Sequence, residues 1–411
     1  NQGDGIYIDN TNGYGVYILN NNRQYNGNNQ GYGLFVQTNG PVTVNGANFW
    51  SNLKGSYIEN TGGLAGVTRL YSGFDSSDSS PAFFPGLTIN TNGAVYLLKV
   101  ETGYSADGGM IINNASSPYY AGVTIVSSDF SNTGGAGLTI NSRGFITISQ
   151  IMAYNNAGDG VRINNIGGYG VYIVNTDGWW QNNQGYTAYI ESSGAVTVYS
   201  IFGSGSRQGI YIHNSYGQAA PVTLVDLYST ATQSGMTALD VRSKGFITLL
   251  NSTILDSQGA GAVLNNASSP YKYGVTVSGS TFKNNNGYGL SINSLGAVTV
   301  INVVSSRNYG VSGYGLYLSS PENIYPVTIL NGVFNNTSQD GIYIDTKGII
   351  TILNGEANSN GGQGIQAMKD LASGALPGMI SVCSASSWQS TANCAPGSGM
   401  YCGRSSTLRL G

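Results

Sequence analysis

Apolar and polar residues alternate one by one in short runs along most of the chain. Ile6-Tyr-Ile-Asp-Asn, Leu34-Phe-Val-Gln-Thr and Val161-Arg-Ile-Asn-Asn are examples. A period of two marks a strand with one face in a core and the other in solvent. It places Ile6 and Ile8 inward, Tyr7 and Asp9 outward, and Asn10 inward again. Gly, Asn, Ser and Pro bound the runs and predict tight turns between short strands.

The runs recur. A glycine followed by a β-branched stretch appears as Gly40-Pro-Val-Thr-Val, Gly93-Ala-Val-Tyr-Leu, Gly144-Phe-Ile-Thr-Ile and Gly194-Ala-Val-Thr-Val. It continues at Gly245, Gly296 and Gly348, with successive spacings of 53, 51, 50, 51, 51 and 52 residues. A second marker, such as Gly170-Val-Tyr-Ile or Gly274-Val-Thr-Val, interleaves with the first. Coils of about 28 and about 23 residues therefore alternate within a two-coil repeat of about 51. A coil that short cannot close a core alone, but a stack of coils can. The expectation is an all-β solenoid of about 15 coils over residues 1–370. Residues 371–411, which lose the repeat, read as a C-terminal cap or junction.

Two inward columns follow from the alternation. One holds Asn10, Asn60, Asn114, Asn165, Asn214, Asn266 and then Ser320; the other holds Thr38, Thr91, Ser142, Ser192, Ser243, Ser294 and Thr346. Both are expected to satisfy turn backbone and bridge neighbouring coils, as a structural ladder. A third column, Phe49, Phe130, Trp180, Phe282 and Phe334, is expected to stack in the core.

With these units in place, the sequence resembles the right-handed parallel β-helix superfamily over roughly residues 1–382. In style it is closest to the regular repeats of secreted bacterial surface proteins. The resemblance implies the fold. It leaves function open, because the scaffold serves polysaccharide lyases, glycoside hydrolases and non-enzymes alike.

Composition narrows the function classes. Only 9% of residues are charged, the net charge is −3, and glycines number 61. Without a basic stripe, nucleic acid is not an expected partner. No apolar run is long enough for a membrane span. Cys383, Cys394 and Cys402 all lie near the end, which suits a disulfide in an extracellular or cell-surface protein, with the pairing open. No metal site and no cofactor are expected, since the single histidine, His213, is far from the cysteines in sequence. The repeat is already running at Gly5, so the sequence reads as a piece of something longer.

Candidate chemistry is confined to the outward columns, where Asn predominates. Glu191, His213 and Arg242 fall on successive coils, and Arg162, Tyr189, Tyr211 and Asp240 occupy the column beside them. Glu191, His213, Asp240 and Arg242 are the catalytic candidates; Arg162, Tyr189 and Tyr211 are the binding candidates. Asp129 and Asp177 read as one repeat position two coils apart, about 9.6 Å, wide even for an inverting pair of carboxyls. Asp4, Asp107, Asp159 and Asp340 precede glycines and read as turn residues. Outward Tyr7, Tyr57, Tyr189, Tyr211, Tyr317 and Tyr343 suit a long polymer or lateral association. The expected function is a non-enzymatic structural or adhesive protein with polysaccharide or further copies of itself as partner. The alternative is a lyase or hydrolase centred on His213.

Overall fold

A computed structural model describes residues 2–19, 27–62, 66–76, 84–118 and 120–368, and the strand backbones Ile380–Cys383 and Met400–Cys402. The described residues contain strands and turns and no helix. The chain divides into two compact units, residues 1–207 and 208–411.

In the first unit, successive coils each add a strand to one sheet running from Ile6–Asn10 to Tyr186–Ser192, always in parallel. A second parallel sheet runs from Val16–Leu19 to Ala195–Tyr199. Isolated bridges, such as Asp129 with Met152 and Trp179 with Phe202, mark a third face. The second unit repeats the plan. Its first sheet runs from Gln208–Asn214 to Ile365–Met368. Its second runs from Val222–Val225 to Ile350–Leu353 and continues through the two later strand backbones. A third spans Tyr228–Ser229 to Val333–Asn335. Each unit is a parallel β-solenoid, as the repeat predicts.

Register is in phase with the alternation. Leu34, Val36, Ile58, Ile89 and Ile140 are fully buried on one sheet, and Val42, Val44, Leu70 and Ile148 on the next. Burying each such side chain contributes about 1.5–3 kcal/mol, and every added coil extends the same core. Phe49, Phe130, Trp180, Phe282 and Phe334 are all fully buried, as expected of a core column. Two residues after each stands a left-handed residue: Ser51, Asn132, Asn182, Asn284 and Asn336, with φ between 54° and 59°. The chain turns sharply there, and Asn tolerates that conformation better than other side chains.

The two ladder columns are buried, apart from half-buried Asn10, but they do different work. Each Ser/Thr closes a short corner by accepting from the glycine amide two residues on. Examples are Gly93 N to Thr91 Oγ1 at 2.9 Å, Gly144 N to Ser142 Oγ at 3.1 Å and Gly245 N to Ser243 Oγ at 2.9 Å. Each Asn governs a longer corner. Asn60 and Asn214 donate to Gly66 O and Ala220 O of their own corners at 2.8 and 3.0 Å. Asn114 and Asn165 donate to Gly93 O and Gly144 O of the short corner on the preceding coil, both at 2.7 Å. A hydroxyl reaches only the nearby amide, whereas a carboxamide spans further and carries two donors. Corner length thus contributes to the alternation of coil length. At Ser320 the role moves three residues on. Asn323 donates to Gly296 O at 3.0 Å and accepts from Tyr325 N at 2.9 Å. The marker glycines are demanded by close approach: a Cβ on Gly144 or Gly245 would lie 2.1 or 2.2 Å from a carbonyl oxygen of the adjacent corner.

Candidate functional site

In the second unit, the strands Gln208–Asn214 and Leu239–Ser243 pair with Tyr211 opposite Asp240 and His213 opposite Arg242. Ile210 and Ile212 point into the core, so period two turns Tyr211 and His213 outward. Asp240 and Arg242, two apart on one strand, share that face. Arg242 Nη2 lies 3.1 Å from Asp240 Oδ2, and Nε lies 3.4 Å from Oδ1. The same guanidinium is 5.6 Å from the Tyr211 ring centre. His213 meets Tyr211 edge-on at 6.2 Å and lies 4.4 Å from Tyr216. Four sequence candidates therefore come together: Tyr211, His213, Asp240 and Arg242. Tyr216, from the long corner that follows, is an addition that strand alternation does not reach. The Arg242 side chain is 52% exposed and Asp240's 20%, so the pair is screened and contributes at most about 1 kcal/mol.

In the first unit, Arg162 stands opposite Tyr189 and Asn164 opposite Glu191 on the strands Val161–Asn165 and Tyr186–Ser192. The Arg162 guanidinium sits 4.4 Å from the Tyr189 ring centre and its Nη1 lies 3.1 Å from Asp159 Oδ2. The other oxygen of Asp159 accepts from Tyr186 N, one coil on, at 2.8 Å. This carboxylate clamps two coils together. The same device occurs where Tyr32 N donates to Asp4 at 2.6 Å and Gln363 N donates to Asp340 at 2.5 Å. Gly31, Gly185 and Gly362 leave room for it, since a Cβ on each would lie 2.0–2.3 Å from the clamping oxygen. The sequence signal is an Asp-Gly followed one coil later by Gly and an aromatic or Gln. Reading those aspartates as turn residues alone missed it.

Asp129 and Asp177 do not share a column. Asp129 pairs with Met152, whereas Asp177 accepts from Gln150 Nε2 at 3.2 Å. The corner that follows Val174 is two residues longer than the one that follows Ser149, so Trp179 takes the bridge position and Asp177 is left within the corner.

The outward tyrosines form stacks. Tyr7, Phe35 and Tyr57 on successive coils have centroids 5.0 and 5.4 Å apart and planes within 12°. Tyr317 and Tyr343 repeat this at 4.9 Å and 10°. Tyr32, Tyr288 and Tyr314, each the centre of a Gly-Tyr-Gly, lean on the rows, at centroid distances of 4.7 to 5.8 Å. That motif is their signal in the sequence. Beside the first row, Asn90 donates to Tyr57 Oη at 2.9 Å, and Asn113 and Asn141 continue the ladder at 2.8 Å each. Rings stacked on one another spend their faces on the coil-to-coil contact and turn their edges to solvent.

Burial raises the Asp340 carboxyl above its ordinary value, the bond from Gln363 N opposing this in part. Burial likewise raises the Tyr314 and Tyr343 hydroxyls, with Asp340 adding to both. Asp340 therefore binds its proton more readily folded than unfolded. Its contribution to stability is fully present below the unfolded pKa and is lost as pH rises through the folded one. Thermal melts across the carboxylate range are expected to show the wild-type midpoint falling relative to Asp340→Asn as pH rises; parallel curves would refute this.

Among the described residues, no group of three or more His, Cys, Asp or Glu is placed to hold a metal ion. Cys394 and the side chains of Cys383 and Cys402 lie outside the described residues. No helix among the described residues is long and apolar enough to cross a membrane. Residues 228–373 match a family model described as "Right handed beta helix region". That segment is similar to the family, and the parallel registers of both units agree with a right-handed parallel β-helix. No curated protein and no solved structure matches the chain.

Proposed function

We propose that this chain is a non-enzymatic structural or adhesive β-helix of the extracellular space or cell surface. It acts as a segment of a longer surface protein or as a filament subunit assembling end to end. Residues 371–411 serve as its cap or junction, and its partners are polysaccharide or further copies of itself. The observation that carries the reading is the use made of the outward columns. Tyr7, Phe35 and Tyr57, and again Tyr317 and Tyr343, are committed to ring-on-ring stacking between coils. Asp240 and Asp159 are committed to Arg242 and Arg162. Such side chains brace a surface, and an acid or base at work needs a pKa and a geometry turned toward a substrate.

A second reading keeps the chain among polysaccharide lyases or glycoside hydrolases. It is favoured by the convergence of His213, Tyr211, Asp240 and Arg242 on one exposed face, with Glu191 the carboxylate candidate on the first unit. Incubation with anionic and neutral polysaccharides is expected to give no new reducing ends and no unsaturated products. Turnover that disappears in His213→Ala would replace the first reading with the second.

A further inference from the structure

The corner between the first and second sheets of the second unit carries an apolar ridge that no strand pairing uses. Phe246, Tyr271, Ile324, Tyr325 and Ile349 are each 39–69% exposed there. They stand on the first, second, fourth and fifth of five consecutive rungs, which the bonds from Ile247 N to Gly274 O, Val275 N to Ala297 O, Val298 N to Pro326 O and Val327 N to Ile349 O define; the third, residues 294–298, adds none of them. From Phe246 to Ile349 is four rungs, about 19 Å at ~4.8 Å per rung. Phe246 packs on Tyr273 at 4.4 Å, and Tyr273 on Tyr271 at 5.6 Å.

Close backbone approach builds the ridge. A Cβ on Gly296 would lie 2.1 Å from Lys272 O, and one on Gly348 1.9 Å from Tyr325 O. Each long corner is pressed flat against the short corner of the next coil, and its large side chains are turned outward, where they stay partly exposed.

Charge separates this edge from the rest of a chain whose net charge is −3. The corners of the second unit, residues 214–222, 243–247, 266–275, 294–298, 320–327 and 346–350, contain Lys244, Lys272 and Lys347 against one acid, Glu322, a local balance of +3 − 1 = +2. Lys347 pairs with Glu322 at 2.7 Å. Lys272 lies 5.8 Å from the Tyr325 ring centre, and Lys244 reaches Gly217 O at 3.5 Å.

We propose that this ridge docks the second unit onto an anionic lipid surface. The apolar tips enter the headgroup boundary and the lysines meet the anionic headgroups. Aromatic and aliphatic tips flanked by lysines suit that boundary, where one end of the side chain is apolar and the other wet. Lipid is favoured over an anionic glycan because Phe246, Ile324 and Ile349 offer sugar hydroxyls no hydrogen-bond partner. The docking would be peripheral, through side chains on a convex edge, and is independent of the reading under Proposed function.

The full chain is to be sedimented with vesicles of phosphatidylcholine alone and of phosphatidylcholine with phosphatidylglycerol, with soluble alginate as the glycan arm. Binding is expected to the anionic vesicles and to weaken with salt. The triple variant Lys244→Gln, Lys272→Gln, Lys347→Gln is expected to weaken it by more than about tenfold. Phe246→Ser with Ile324→Ser and Ile349→Ser is expected to abolish it. Circular dichroism on each variant separates lost binding from lost fold, and the lysine variant carries the test should the serine variant unfold. Equal binding to neutral vesicles, no vesicle binding, or alginate binding untouched by the serine substitutions would overturn the proposal.

Discussion

Asn165→Leu is expected to lower stability by about 3 kcal/mol or more, read as a shift of the urea midpoint. Asn165 is fully buried and holds two coils and its own corner at once. Its amide donates to Ser142 O at 2.9 Å and Gly144 O at 2.7 Å; its oxygen accepts from Gly170 N at 3.0 Å and Ser192 Oγ at 3.1 Å. Leucine is of similar size but leaves these groups without partners in a dry interior, at about 1–3 kcal/mol for each one orphaned. Asn165→Asp keeps the acceptor and loses both donors, so it is expected to cost nearly as much. Asn164→Leu, one residue away on the outward face, is expected to change stability by less than about 0.5 kcal/mol. Equal effects at 164 and 165 would contradict the assignment of the ladder.

Trp180→Ala is expected to cost about 3–5 kcal/mol, the range for emptying a large aromatic site in a packed core. Trp180 is fully buried, and its indole nitrogen donates to Ile151 O at 3.1 Å, so the substitution also orphans a carbonyl. Its neighbour Trp179 is 58% exposed. Trp179→Ala is expected to leave the unfolding midpoint nearly unchanged while removing the redder component of the fluorescence. Adjacent, chemically identical residues thus give opposite outcomes because the strand period of two sends them to opposite sides of one face. A large destabilisation from Trp179→Ala would mean that this period is broken there.

Much of the candidate site was legible. Pairing of Tyr211 with Asp240 and of His213 with Arg242 follows from the repeat, because parallel register is held by the inward aliphatics on either side. Tyr216 was not legible, since it reaches His213 from a long corner whose path no alternation rule predicts. The aspartate clamps were half legible. Asp-Gly marks the turn in the sequence, but the amide that it holds belongs to a residue a whole coil away. The shift of the ladder from Ser320 to Asn323 was hidden for a related reason: a column counted by position misses a carboxamide that reaches the same carbonyl from three residues further on.

Alone, the sequence determined the solenoid, its repeat, its inward and outward faces and its core aromatics. Each of these rests on a local rule, a period of two or a glycine where backbones meet, applied coil after coil. The tertiary structure decided what each exposed side chain is for. Whether a tyrosine spends its face on a neighbouring ring, as Tyr317 does on Tyr343, or stands out from a corner, as Tyr271 does, depends on groups brought alongside only by stacking. That contact lies between coils, and the pattern within one coil does not encode it.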